Sequence, residues 1–209
     1  MKILSISDIV IKPFYSAQVR EKFPDVDMII SCGDLPYYYQ EYILTLLEVP
    51  LFFVRGNHAN EVEYTTAGPR TQPDGGTDLH RRRYRHEGLL MAGIEGCLRY
   101  RRSKFQYTQF EMWEHVFYLV PRLMFNRLRH GRFLDIFVTH APPFGVHDQP
   151  DLPHHGIKAF NWLLRVFKPA IHLHGHIHVY QTDTVTETLY EQTRVINTYG
   201  YREITFDVP

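Results

Sequence analysis

Carboxylate, carboxamide and imidazole side chains recur at five places in this chain, each directly after an apolar run. Asp8 follows Lys2–Ile6, Gly33-Asp34 follows Met28-Ile29-Ile30-Ser31, and Gly56-Asn57-His58 follows Leu51-Phe52-Phe53-Val54. Thr139-His140 follows Phe133–Val138, and Gly175-His176-Ile177-His178 follows Ala170–Leu173. Oxygen and imidazole donors of this kind suit Mn, Fe or Zn, and no thiolate belongs to the set. One aspartate after a strand is ordinarily a turn or helix-capping residue. Five such ends in order, each after an apolar run, form a specific pattern.

The elements that must hold these residues alternate. Short apolar runs at Lys2–Ile6, Met28–Ser31 and Leu51–Val54 read as buried strands, with helical stretches at Pro13–Lys22 and Tyr37–Leu47 between them. Strand-helix-strand units imply right-handed crossovers and a partly parallel sheet, whose carboxyl ends are where α/β sites form. From Asn60 to Arg85 turn signals such as Gly68-Pro69 and Asp74-Gly75-Gly76 predict a long loop. Leu89–Gly93 resumes a strand. A helix is expected over Thr108–Leu128, broken or kinked at Pro121, holding Phe110, Trp113, Phe117 and Leu128, with its aromatic side chains in the core. Phe133–Val138 and Ala170–Leu173 are further strands, with a helix over Gly156–Val166 between them. The tail alternates as strands or hairpins at Val179–Thr182, Thr184–Tyr190, Arg194–Asn197 and Arg202–Phe206. The glycines before Asp34, Asn57 and His176 are expected to permit tight turns or close backbone approach. Residues 1–209 read as a single domain.

Lys+Arg and Asp+Glu both number 23, so no global charge argues for a nucleic-acid surface. The local run His80–His86, with Arg81, Arg82, Arg83 and Arg85, reads as a solvated face or an anion contact. No stretch approaches the roughly 18 apolar residues that span a bilayer, so no membrane partner is expected. The amino terminus runs into a strand without a signal-peptide pattern. Cys32 and Cys97 read as reduced core thiols, and the expected location is cytoplasmic.

The five blocks resemble the calcineurin-like metallophosphoesterase superfamily, whose signatures are Asp-x-His, Gly-Asp, Gly-Asn-His, a late histidine and Gly-His-x-His. The resemblance implies an α/β fold, a four-layer α/β/β/α sandwich of mixed sheets. It implies two divalent or mixed-valence metal ions (Mn, Fe or Zn). Asp34 would bridge them, Asp8 and His178 would complete one site, and Asn57, His140 and His176 the other. A hydroxide bridging the ions would attack phosphorus in line, with Asp34 catalytic through the bridge and His58 beside the substrate, giving a proton to the leaving alkoxide. The implied substrate is a small phosphoester, as monoester or diester.

The first block departs from the pattern, since Val10 stands where the superfamily has histidine. Three readings follow. Water or another side chain fills the vacancy; the first ion binds weakly; or the chain is a non-catalytic scaffold. A branch of bacterial cyclic-nucleotide phosphodiesterases is similar in carrying Asp-x-Val, although its second block differs from Gly33-Asp34. A nuclease is a further alternative, disfavoured by the zero net charge. His172, His174 and Asn197 read as structural residues. Asp148 and His154 are candidates for substrate contact or ligand orientation. Tyr37-Tyr38-Tyr39, Arg99 and Tyr100 are candidates for the cleft wall.

Overall fold

The computed structural model describes residues 1–66 and 68–208. Two mixed sheets carry the chain. The first runs, edge to edge, Gly200–Thr205, Lys2–Ser7, Met28–Ser31, Leu51–Phe53 and Gly76–Asp78, and is parallel except for the Gly200–Thr205 edge. The second runs Glu187–Tyr190, Thr193–Asn197, Ile171–His174, Ile136–Thr139, Leu89–Ile94 and Arg83–His86. Its central pairings are parallel and both edges are antiparallel.

Side chains alternate across a strand, and this alternation divides the apolar residues among three cores. Ile3, Met28, Phe52, Met91, Ile136, Val138 and Leu173 meet between the sheets. Leu4, Ile6 and Ile29 face outward beneath α1 (Gln18–Lys22) and α2 (Tyr37–Leu47). Ala92, Ile94 and Phe137 face outward on the other side, beneath α3 (Gln109–His130) and α4 (Lys158–Phe167). Helix, sheet, sheet and helix therefore stack as the expected four-layer α/β/β/α sandwich. Because neighbouring central strands are parallel, the turns after Ser7, Ser31, Phe53, Thr139 and His174 all leave from the same end of the two sheets.

Several local expectations are corrected. The stretch expected as one helix over Pro13–Lys22 is a short 3-10 turn, Lys12–Phe14, followed by α1. Within the expected long loop, Gly76–Asp78 pairs with Leu51–Phe53 as a fifth strand. A glycine-led strand carries no apolar alternation to reveal it. Val179–Thr182 forms no strand.

The helix expected to be broken or kinked at Pro121 is not broken there, and runs through it for 22 residues. Thr108 and Glu111 cap its start reciprocally, and Met112, Val116, Leu119 and Leu123 are fully buried along one face. Each such side chain contributes about 1.5–3 kcal/mol by burial, against about 3 kcal/mol for one interior proline. Pro121 lies on the solvent side, where water satisfies the freed carbonyl. The same geometry overturns the expected core role of Phe110 and Phe117, which are 72% and 54% exposed. Trp113 is partly buried at the edge of the core.

Candidate metal centre

Three of the expected ligands sit where the backbone leaves a strand for the left-handed region: Asp8 (φ 67°), Asp34 (φ 56°) and His176 (φ 67°). That conformation is disfavoured by roughly 1–2 kcal/mol for a residue with a Cβ, so it persists where the surroundings fix it. Hydrogen bonds between neighbouring strand ends do the fixing. The Asp8 amide donates to the Gly33 carbonyl at 3.1 Å. The His176 amide donates to both carboxylate oxygens of Asp8, at 3.0 and 3.1 Å. The His58 amide donates to Asp34 Oδ1 at 2.8 Å. Each carboxylate is thus strapped by a loop that follows another strand. The straps need bare backbone. A Cβ at Gly56 would lie 2.1 Å from Asp34 Oδ1, and one at Gly175 would lie 2.5 Å from Asp8 Oδ2.

Asp34, His140 and His176 each offer a ligand atom, all within 4.8 Å of one another. Asn57 joins them, with Oδ1 2.9 Å from His140 Nε2. The same Nε2 lies 3.2 Å from Asp34 Oδ2 and 3.1 Å from His176 Nδ1. The far sides of the rings decide where the hydrogens are. His140 Nδ1 faces the Cys32 carbonyl and His176 Nε2 faces the Pro153 carbonyl, both at 2.8 Å. A carbonyl only accepts, so these nitrogens carry the hydrogens. The neutral rings then point lone pairs at each other and at Asp34. The Asn57 amide nitrogen donates to the Tyr100 hydroxyl at 3.2 Å, which turns its oxygen toward the same point.

Four electron-pair donors therefore converge with no hydrogen of their own between them. A cation satisfies all four at once. The nitrogen and oxygen set suits Mn, Fe or Zn, and a backbone carbonyl behind each imidazole is how ligating histidines are commonly oriented. The residues present fit a metal ion.

Without a cation, a proton takes that place. Burial alone would push the His140 imidazolium down, but the Asp34 carboxylate, assisted by Asp8, outweighs it and raises His140 to about 9. Burial and the charge on His140 push His176 the other way. Burial opposes ionisation of Asp34, yet His140 and the His58 amide hold its carboxyl below the usual range. Burial pushes the Asp8 carboxyl up, partly offset by His140.

The remaining pair is looser. His178 Nε2 lies 4.0 Å from Asp8 Oδ1, and its side chain is 42% exposed where that of Asp8 is fully buried. Its Nδ1 meets the Tyr180 hydroxyl at 2.8 Å, and its ring lies against Tyr199 at 4.9 Å. Val10 packs against the apolar core under α1 and α2. His58 is exposed and lines a cleft of about 130 Å³ with Asp34, Asn60 and Glu63. A second cleft, of about 380 Å³, opens beside His178 between His147, Asp148, Tyr180 and Gln181.

Other candidates fall into place as supports. His172 Nε2 meets Thr139 Oγ1 at 2.8 Å, and His174 is held between His147 and the Gly175 carbonyl, both at 2.9 Å. Asn197 is buried and pins the ligand loop by donating to the Ile177 carbonyl at 2.7 Å. Asp148 accepts from the Gly156 amide, and the His154 ring lies 5.3 Å from that of His176. Tyr37 ties down the loop carbonyls of Asn60 and Thr71, and Tyr39 is buried. Arg81 and Arg83 stack on Tyr118 and Phe125 of α3. Arg99 pairs with Glu111. Sequence reasoning missed the carbonyls of Cys32 and Pro153, which no side-chain pattern could reveal. It also missed Tyr180, whose signal was only its closeness to His178 in the chain, and Tyr199, which lies 21 residues further on and carried no such signal.

The family model for the calcineurin-like phosphoesterases matches residues 1–180. The chain belongs to that family. Solved structures share the fold at low identity. One is similar over 99% of both chains at 17% identity with a TM-score of 0.63. TT1561 of Thermus thermophilus is similar over 95% of this chain and 89% of its own, at 16% identity and a TM-score of 0.58. A hypothetical protein of the same organism is similar over 94% of this chain and 75% of its own, at 15% identity and 0.52. No curated protein matches the chain. Together, the calcineurin-like fold and the Asp34–His140–His176 cluster give this family member the makings of a metal-binding hydrolase. No described helix is long and apolar enough to cross a membrane.

Proposed function

We propose that this chain is a metal-dependent hydrolase of small phosphoesters. The observation that carries the proposal is the convergence of Asp34, Asn57, His140 and His176, with both imidazoles turned inward by backbone carbonyls. These four residues would hold one ion. Asp8, Asp34 and His178 would hold a second, with Asp34 shared. When bound, divalent ions at these positions neutralise charge on a phosphoryl group and lower the pKa of the hydrolytic water.

The chain's own residues prepare that chemistry. The strapped carboxylates of Asp8 and Asp34 hold fixed negative charge at the strand ends, so no reorganisation is needed when substrate arrives. His58 stands at the mouth of the smaller cleft beside Asp34. There its imidazole gives a proton to the departing alkoxide oxygen. The larger cleft beside His178 offers room for the rest of the ester. A one-ion form is the second reading, favoured by Val10 packing against the apolar core and leaving Asp8 and His178 without an added imidazole.

The test is to prepare the chain metal-free, add Mn, Fe or Zn, and assay a generic phosphodiester beside a monoester. Metal-dependent turnover that falls in His58→Ala, with metal affinity retained, supports the reading. No turnover with any of the three metals contradicts it.

A further inference from the structure

The outer face of α3 carries an apolar stripe left open to solvent among the described residues. Phe110, Phe117, Pro121, Met124 and Leu128 follow one another at helical spacing on the solvent side, opposite Met112, Val116, Leu119 and Leu123. Tyr118 and Phe125, still 43% and 50% exposed beside the arginines stacked on them, widen it on one edge, and Trp113, packed on Phe117 and Trp162, widens it on the other. Six large side chains (Phe110, Phe117, Tyr118, Met124, Phe125 and Leu128), each roughly half exposed or more, present on the order of 600 Å² of apolar surface. Exposed patches above a few hundred Å² mark interaction sites.

The charges on the helix select the occupant. Its amino-terminal half carries Glu111 and Glu114 and its carboxy-terminal half Arg122, Arg127 and Arg129. Glu114 lies within the stripe itself and is exposed. Glu114 has no ion-pair partner among the described residues. A lipid surface would draw that carboxylate into the headgroup and acyl boundary, where nothing would pair with it. A second copy, packed antiparallel, does pair with it. A two-fold axis between Phe117 and Pro121 sets Phe110 of each copy against Leu128 of the other and brings Glu114 alongside Arg122 of the other.

We propose that α3 is the self-complementary interface of a homodimer, sealed by an antiparallel helix pair. A stable interface buries about 800 Å² per partner. The stripe supplies most of that, and the flanking arginine stems and the Trp113 edge supply the rest. α3 contributes none of the metal-centre residues, so the dimer and the proposed hydrolysis stand or fall separately.

Sedimentation velocity on the full chain tests this. The wild type is expected to sediment at twice the 24.8 kDa chain mass, and Phe117→Glu at once that mass with an unchanged melting curve. Glu114→Arg and Arg122→Glu each place like charges at both crossings, so each alone weakens the dimer by about tenfold or more. Mixing the two variants restores dimers, because every crossing in the heterodimer is then paired. A wild type that stays monomeric through the micromolar range overturns the proposal, as does a dimer indifferent to Phe117→Glu. A monomer that co-sediments with phosphatidylserine vesicles, and loses them in Leu128→Glu, assigns the face to lipid and also overturns it.

Discussion

The two halves of the candidate metal centre are built differently. Around Asp34, Asn57, His140 and His176 every imidazole has a carbonyl behind it, and Asn57, His140 and His176 are almost wholly buried. Around Asp8 and His178, the carboxylate is buried and strapped, but among the described residues the imidazole is held by an exposed tyrosine hydroxyl and a ring face alone. The inner group is organised before any ion arrives, and the outer pair must still order a half-exposed histidine. Ordering a side chain costs conformational entropy, so the difference should appear as unequal affinities for the first and second ion.

The largest expected effect comes from His140→Ala. It removes the nitrogen shared by three neighbours, and affinity for the first ion should fall by more than about 100-fold, as read by metal titration. Gly56→Ala should follow, with a loss of about 10–100-fold, because its Cβ occupies the place of the Asp34 carboxylate. The melting temperature separates that displacement from general unfolding.

The acid side of the comparison is also testable. In the metal-free protein His140 is raised to about 9, so it is protonated at neutral pH and an incoming ion must expel that proton. First-ion affinity should therefore fall as pH drops below 9, by about tenfold per unit, and level off above it. Calorimetry in two buffers of different ionisation heat should count about one proton released at neutral pH. An affinity flat across that range would mean His140 is neutral without metal.

His178→Ala should leave the first ion's affinity within about threefold and weaken only the second, since no other ligand is oriented through it. Tyr100→Phe is the smallest probe. It frees the Asn57 amide and should cost about tenfold in first-ion affinity.

What the sequence made legible follows the same division. The strand ends were readable because each ligand follows an apolar run long enough to mark a buried strand. The five strand ends could therefore be gathered into one site before any geometry was known, while their division between two ions came only from the family resemblance. The devices that separate the halves were not readable. The Cys32 and Pro153 carbonyls belong to backbone, and the straps on Asp8 and Asp34 depend on left-handed turns at residues other than glycine. α3 misled for another reason. It has two apolar stripes, and periodicity cannot say which one meets the sheet, so the aromatic Phe110 and Phe117 are expected inside when Met112, Val116, Leu119 and Leu123 are. Gly76–Asp78 was hidden because a strand of small and polar residues looks like loop until its partner is seen.

The inequality of the two halves is tested most directly by titrating metal-free protein with Mn calorimetrically, in the wild type, His140→Ala and His178→Ala. Two unequal steps are expected, the first tighter by about tenfold or more, lost in His140→Ala and kept in His178→Ala. Two equal steps, or a first step that survives His140→Ala and disappears in His178→Ala, would contradict the account.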